Sequence, residues 1–155
     1  MKKLLLTVCL LPFLAVGCTH KSQKNTTNLG DDSSSVSPAT LQEFESKVGD
    51  RVLFAFDSSA LSDSAKVTLD KQAGFLKEYP QIKLVVEGHA DKRGTIEYNL
   101  GLGERRANSA KEHLVQNGVD PERVTIISFG KEKPAVAGDT EEAFAANRRA
   151  VSVIR

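Results

Sequence analysis

The chain has 155 residues, of which 40% are apolar and 26% are charged, a composition typical of one globular domain. Its formal net charge is +1, so no strong overall field attracts it to nucleic acid or to an anionic membrane. Aromatic residues make up 6% and Trp is absent, which argues against a surface that stacks nucleic-acid bases. Composition therefore favours a globular domain with no nucleic-acid partner.

The first element is a short apolar segment. Lys2 and Lys3 precede an apolar run over residues 4–16, which is too short to span a bilayer and is typical of a secretory signal. The run ends in LAVGC, which resembles the bacterial lipobox except that Ala15 replaces the usual Leu three places before the Cys. We expect residues 1–17 to be a signal peptide and Cys18 to be lipidated. An ordinary cleaved signal with an incidental Cys is the alternative.

A polar linker follows the signal. Between residues 18 and 39 the chain consists mainly of Ser, Thr, Asn, Asp and Lys, and it cannot bury enough apolar surface to offset its ordering entropy. We predict a flexible, disordered tether over 18–39, with an average end-to-end distance of roughly 25 Å. Cleavage before Cys18 would also remove Cys9, so no internal disulfide is expected.

From residue 40 onward, apolar residues alternate between helical and strand spacing. Leu41, Phe44 and Val48 predict a short first helix, and residues 52–56 form an apolar run of strand length. A long helix is then predicted from the N-cap Ser62, with one apolar stripe and an end before Pro80 (Ala65, Leu69, Ala73, Leu76).

The second half of the chain repeats this alternation. A buried strand is predicted over residues 82–87, ended by Gly88, and a second long helix with a stripe of small residues ends at Asn117-Gly118. The remaining predicted elements are a strand over 123–129, a helix over 141–146 and a strand over 150–154.

These elements predict an α/β fold of the α+β sandwich type over residues 40–155. Strands and helices in the order βαβαβ(α)β indicate a mixed sheet of about four strands with helices packed on it. Two strand–helix–strand units favour some parallel pairing. The sequence leaves open the strand order and whether the first or last strand runs antiparallel.

Residues 88–107, GHADKRGTIEYNLGLGERRA, concentrate charged side chains and glycines between the second strand and its following helix. A dinucleotide loop is excluded because the G-x-G at 101–103 lacks its third Gly and lies within the predicted helix. His89 and Asp91 could supply two metal ligands, but a third is not evident, and a hydrogen-bonded histidine is the plainer interpretation. No G-x-S-x-G nucleophile elbow occurs, so an enzyme is not favoured.

A ligand clamp fits this segment better. Asp91 follows a buried strand, at the sheet edge where open α/β folds bind ligands, and Gly94 and Thr95 are suited to a tight turn and a helix cap. Arg106 lies about three turns along that helix beside core-facing Ala107. An acid and a guanidinium at one edge suit a ligand with both an ammonium and a carboxylate. The alternative is that Asp91 only forms a turn and Arg106 belongs to a solvated helix face.

Five blocks in order resemble a known family. They are FAFDS at 54–58, GHADxRGTxEYN at 88–99, LGERRA at 102–107, SFGKEKP at 128–134 and NRRAV at 147–151. The domain resembles the outer-membrane protein A-like peptidoglycan-binding domains. The whole chain, with its linker and Cys18, is similar to the peptidoglycan-associated lipoproteins of Gram-negative bacteria.

The resemblance implies that the ligand is the peptidoglycan stem peptide, held at its meso-diaminopimelate residue. Asp91 would then hold the ammonium and Arg106 the carboxylate. Arg105 is assigned to the surface or to a structural role, and Arg148-Arg149 to helix-to-strand packing or sheet-edge charge. His89 is assigned to the fold. The residues that match the family's ligand-binding positions are Phe56, Asp57, Asp91, Thr95, Asn99, Leu102 and Arg106.

The resemblance also implies a location and partners. Acylated Cys18 would anchor the chain in outer-membrane lipid with the domain facing the periplasm, where it would work with the Tol proteins, including a periplasmic β-propeller. No catalytic residue, metal or cofactor is expected. A flagellar stator subunit is disfavoured because residues 4–16 are too short for a membrane span. A periplasmic hydrolase or amidase acting on wall peptides remains the alternative of another class.

Overall fold

The computed structural model describes residues 36–155, which contain four strands and four α-helices. Helix α1 (Pro38–Glu43) continues directly into a π-helical segment (Phe44–Gly49). A short 3-10 turn (Pro121–Arg123) lies much later in the chain, just before the third strand. The remaining elements are β1 (Arg51–Leu53), α2 (Asp63–Glu78), β2 (Leu84–His89), α3 (Ile96–Gln116), β3 (Val124–Gly130), α4 (Glu141–Asn147) and β4 (Arg149–Ile154). The predicted βαβαβ(α)β order and α+β class are confirmed.

The four strands form one mixed sheet in the order β1-β4-β2-β3. Strands β2 and β3 are parallel, with Leu84 opposite Val124, whereas β4 is antiparallel to both β1 and β2. The last strand therefore lies between the first two. Because of this insertion, only the β2–α3–β3 unit joins neighbouring parallel strands.

Helices α2 and α3 pack on the sheet through the stripes that the sequence indicates. Leu69, Leu76 and Leu114 are at most 1% exposed, and they share one core with Leu84 and Val86 of β2. As predicted, the Ser62 hydroxyl caps α2 by accepting from the amide of Ala65 at 3.2 Å. Helix α3 ends at Gln116, and its C-cap Asn117 is followed by Gly118 with a φ of 88°.

The strand expected over residues 52–56 is shorter, and β1 ends at Leu53. The amide of Phe54 still donates to the carbonyl of Arg148 at 2.8 Å, but the chain then leaves the sheet. Asp57 has a φ of 50°, which is left-handed backbone, and Phe56 is 59% exposed. The segment after β1 thus forms a loop instead of more strand.

Gly88 was expected to end the second strand, and this expectation is wrong. Strand β2 continues through Gly88 to His89, with an irregularity in the pairing to β3 between these two residues. The glycine is required for packing, since a Cβ at Gly88 would lie 1.8 Å from the carbonyl oxygen of Gly103 on α3.

The N-terminal predictions lie mostly outside the described residues. The signal peptide over 1–17, Cys18 and most of the linker fall in that part of the chain. Helix α1 begins at Pro38 because Ser37 accepts from the amide of Thr40 at 3.2 Å and proline suits the first helical turn. Residues 38–39 of the expected linker are therefore helical. Over residues 36–155, no helix has the length and apolarity needed to cross a membrane.

Candidate ligand-binding site

A cavity of about 160 Å³ lies where the end of β2, the loop after β1 and the first half of α3 meet. This is the carboxyl edge of β2, the position at which open α/β sheets commonly bind ligands. Of the seven expected ligand-binding residues, six line the cavity. The complete lining is Phe56, Asp57, Asp91, Arg93, Gly94, Tyr98, Asn99, Leu102 and Arg106.

Thr95 is the expected site residue that does not line the cavity. Its hydroxyl accepts from the amide of Tyr98 at 3.2 Å and caps α3. Asn99 closes the same turn, because its side-chain amide donates to the carbonyls of Arg93 at 2.8 Å and Thr95 at 3.0 Å. Gly94, with a φ of 92°, supplies the left-handed backbone that this turn needs. Thr95 therefore shapes the cavity through the backbone.

Arg106 is fully buried and joins three segments of backbone. Its Nε donates to the carbonyl of Ser58 at 2.8 Å, Nη1 to that of His89 at 2.8 Å, and Nη2 to that of Ala55 at 3.1 Å. Burial lowers the pKa of Arg106 to about 10, so the group stays charged at neutral pH. Three of its five N–H groups are used among the described residues, which leaves two for a ligand.

Asp91 is 4% exposed and is already paired. Its Oδ1 accepts from the backbone amide of Arg93 at 3.1 Å and from Nε of Arg93 at 3.2 Å, and its Oδ2 accepts from Nη2 of Arg93 at 2.6 Å. Burial alone would raise the pKa of Asp91, but the hydrogen bonds and charge of Arg93 hold that pKa below its ordinary value. Asp91 is therefore an anion at neutral pH.

Two arginines that the sequence did not assign to the site contact this carboxylate. Arg93 lies between the rings of Phe56 and Phe144, with its guanidinium carbon 4.1 Å and 4.5 Å from the ring centres. Arg148 is 8% exposed, and its Nη1 lies 3.4 Å from Oδ2 of Asp91. The spacing of Asp91 and Arg93 could have indicated the first pair. The second joins residues 57 positions apart, and no local pattern reveals it.

Asp57 and Tyr98 form a second polar pair in the cavity wall. The Tyr98 hydroxyl donates to Oδ1 of Asp57, and this hydrogen bond raises the pKa of Tyr98. Tyr98 was not among the expected residues because helical spacing alone does not distinguish a cavity-facing tyrosine from an exposed one. The pair ties the loop after β1 to the start of α3.

His89 lies outside the cavity, in keeping with its assignment to the fold. Its ring is 2% exposed and stacks on Phe129 at 5.6 Å, and neither ring nitrogen has a hydrogen-bond partner among residues 36–155. Burial, with the nearby charges of Arg149 and Lys133, lowers the pKa of His89 to about 4. In the part of the chain that the structure covers, no group of three His, Cys, Asp or Glu side chains could hold a metal ion.

Comparison with known proteins connects this cavity to a family. The family model described as the OmpA family matches residues 53–148, a range that includes every residue of the cavity lining. The chain belongs to the OmpA family. Its similarity to individual family members extends beyond the matched range and includes most of the chain.

Relatives that align over most of the chain share one name. The peptidoglycan-associated lipoprotein of Brucella melitensis is 42% identical over 152 residues, which cover 96% of this chain and 90% of the relative. That of Mesorhizobium japonicum is 43% identical over 150 residues, covering 95% of this chain and 89% of the relative. The family resemblance inferred from the five sequence blocks is therefore confirmed.

Solved structures of other proteins show the same fold. The crystal structure of the peptidoglycan-associated lipoprotein from Burkholderia pseudomallei is 36% identical, with a TM-score of 0.70, and covers 74% of this chain and 98% of that one. The C-terminal domain of Helicobacter pylori MotB has a TM-score of 0.64 at 22% identity, covering 68% of this chain and 84% of that one. The second likeness concerns the fold alone.

Proposed function

We propose that this cavity binds the stem peptide of peptidoglycan at its diaminopimelate residue, and that the chain tethers the outer membrane to the cell wall without covalent bonds. The observation that carries the proposal is the placement of a buried carboxylate, Asp91, and a buried guanidinium, Arg106, on one cavity. The side-chain centre of diaminopimelate carries one ammonium and one carboxylate. Each group of this zwitterion finds a side chain of opposite charge.

The rest of the lining supports an amino-acid head group as the ligand. The cavity of about 160 Å³ is small, and Phe56 and Leu102 supply apolar wall beside the charged groups. A hydrogen bond to a charged group contributes about 1.5–3 kcal/mol, so two such contacts support a modest and reversible affinity. A reversible contact suits a tether that is released as the wall grows.

The family and the N-terminal sequence support a proposed location and proposed partners. We propose that residues 1–17 are removed, that acylated Cys18 is anchored in the outer membrane, and that the linker after it lets the domain face the periplasm. Its relatives are named as lipoproteins associated with peptidoglycan, which supports a place in the cell envelope. The Tol proteins, including the β-propeller, are the proposed partners in envelope integrity and cell division.

The cavity favours binding over catalysis. No Ser, Cys or His side chain occurs among its lining residues, so a nucleophile activated by a neighbouring histidine is not available there. A hydrolase or amidase would release soluble fragments from peptidoglycan. Incubation of the full chain with purified peptidoglycan, with and without added zinc, is expected to release none, and measurable release would support the enzyme instead.

The proposal is tested with Asp91→Asn, which removes the negative charge from the cavity while keeping the size of the side chain. We expect co-sedimentation of the full chain with purified peptidoglycan to fall about tenfold or more, because the ligand ammonium loses its counter-ion. The matched control is Asp63→Asn, since the Asp63 side chain is fully exposed on α2. Equal sedimentation of both variants would refute the assignment of Asp91.

A further inference from the structure

The Asp91 carboxylate has no acceptor site left for a ligand in this conformation. A carboxylate offers about four lone-pair sites. Oδ1 accepts from the backbone amide and Nε of Arg93, and Oδ2 accepts from Nη2 of Arg93 and Nη1 of Arg148. An ammonium that approaches Asp91 must therefore displace one of these donors.

Arg93 is the donor that can leave. Its side chain is 36% exposed, whereas that of Arg148 is 10% exposed and is fixed by donation from Nε to the carbonyl of Phe54 at 3.1 Å. Arg93 also has a second carboxylate partner already in place, since its Nη1 donates to Oε2 of Glu141 at 3.3 Å. The Glu141 side chain is 62% exposed and does not line the cavity.

We propose that Arg93 is an internal competitor for the ligand ammonium, and that on binding its side chain leaves Asp91 and stays paired with Glu141 alone. The guanidinium carbon lies 4.1 Å from the ring centre of Phe56 and 4.5 Å from that of Phe144, so these cation–π contacts can hold the group while its carboxylate partners change. Arg93 thereby sets the affinity and excludes ligands whose cation is too weak to displace it. This inference rests on the proposed function of the cavity.

The other arm of the site differs, which makes the exchange specific to the ammonium. Arg106 lines the cavity and keeps two N–H groups beyond the three that its backbone partners use, so a ligand carboxylate can be added there without breaking a hydrogen bond of Arg106. Ligand binding thus requires one exchange of partners, at Asp91, and one addition, at Arg106.

Arg93→Met tests the competition directly, because methionine fills the space between the two rings and donates nothing to Asp91. A partly exposed ion pair contributes up to about 1 kcal/mol, so we expect the Kd for a soluble diaminopimelate-containing stem peptide to fall by up to about fivefold in the full chain. Arg93→Lys, which keeps the charge but forms a single contact, is expected to give an intermediate Kd. An unchanged or weaker affinity in Arg93→Met would overturn the competition.

Glu141→Gln supplies an independent test through a double-mutant cycle. With Arg93 present, loss of the second carboxylate is expected to raise the Kd about threefold, and with Met at position 93 it is expected to change nothing. Nη1 of Arg148 also donates to Oε1 of Glu141, at 2.8 Å. If Glu141→Gln changed the Kd equally with Arg and with Met at position 93, Glu141 would act through Arg148, and the proposed displacement of Arg93 would be contradicted. If the unaltered chain does not bind the peptide, the proposed function itself is wrong. This outcome is distinguished from failure of the Arg93 inference because it is measured without any variant.

Discussion

Arg106 combines a structural and a binding role in a single residue. Its three bonds to backbone carbonyls fix the loop after β1 against the end of β2, and its two remaining N–H groups stay available to a carboxylate. A buried guanidinium is tolerated because each bond is charge-assisted and Asp91 and Asp57 lie nearby as counter-charges. The cationic arm is therefore fixed in place before any ligand arrives, which reduces the entropy cost of binding.

His89 gives the domain a pH-dependent stability at the residue scale. Its pKa is about 4 in the folded chain against 6.5 ordinarily, so the unfolded chain binds an extra proton between these values. The free energy of unfolding should therefore fall by roughly 3 kcal/mol as the pH drops from 7 to 4.

His89→Leu should remove most of this dependence, because leucine cannot be protonated. Its stability at pH 7 should be equal or higher, since no hydrogen bond to a residue of the described domain is lost. The measurement is urea unfolding of both chains between pH 4 and 7. The same loss of stability in the two chains would show that other groups cause it.

At the scale of elements, the site depends on the close contact of α3 with β2. A Cβ at Gly103 would lie 2.4 Å from Oγ of Ser128 and 2.8 Å from the carbonyl oxygen of Gly88. Helix α3 carries Asn99, Leu102 and Arg106 of the cavity, so this contact sets their distance from Asp91 at the end of β2.

Gly103→Ala is expected to lower the free energy of unfolding by at least about 2 kcal/mol, because neither backbone can move away without disturbing the sheet. Gly74→Ala in α2 is the matched control, since a Cβ there has no neighbour within 4 Å. It should raise stability by about 0.5–1 kcal/mol through the better helix propensity of alanine. Urea unfolding measures both, and equal effects would contradict the close-contact account.

The elements could be predicted from the sequence wherever one local signal dominates. Ser62 and Thr95 cap their helices as expected, and the apolar stripe of α2 lies in the core. The predicted end of β2 was wrong because Gly88 allows α3 to pack closely on the strand and does not end it. Neither the strand sequence around Gly88 nor the helix sequence around Gly103 indicates that the two glycines are in contact.

At the scale of the whole molecule, the sheet order and the pairings within the site depend on distant parts of the chain. Strand β4 inserts between β1 and β2, and this insertion brings Arg148 to Asp91. The family resemblance identified six of the nine cavity residues. Of the other three, Gly94 was expected only as a turn residue, and Arg93 and Tyr98 were not assigned to the site. The residue types predicted the two opposite charges of the clamp. They did not predict that Arg93 donates hydrogen bonds to both oxygens of Asp91, which only the three-dimensional structure reveals.

The measurement that tests the central claim most directly compares two stem peptides that differ at one residue. Isothermal titration of the full chain with a diaminopimelate-containing stem and with a lysine-containing stem isolates the side-chain carboxylate, because lysine retains the ammonium and lacks the acid. With Arg106 as the carboxylate partner, the lysine stem should bind about tenfold or more weakly. Equal Kd values for the two peptides would contradict recognition of the zwitterion by this cavity.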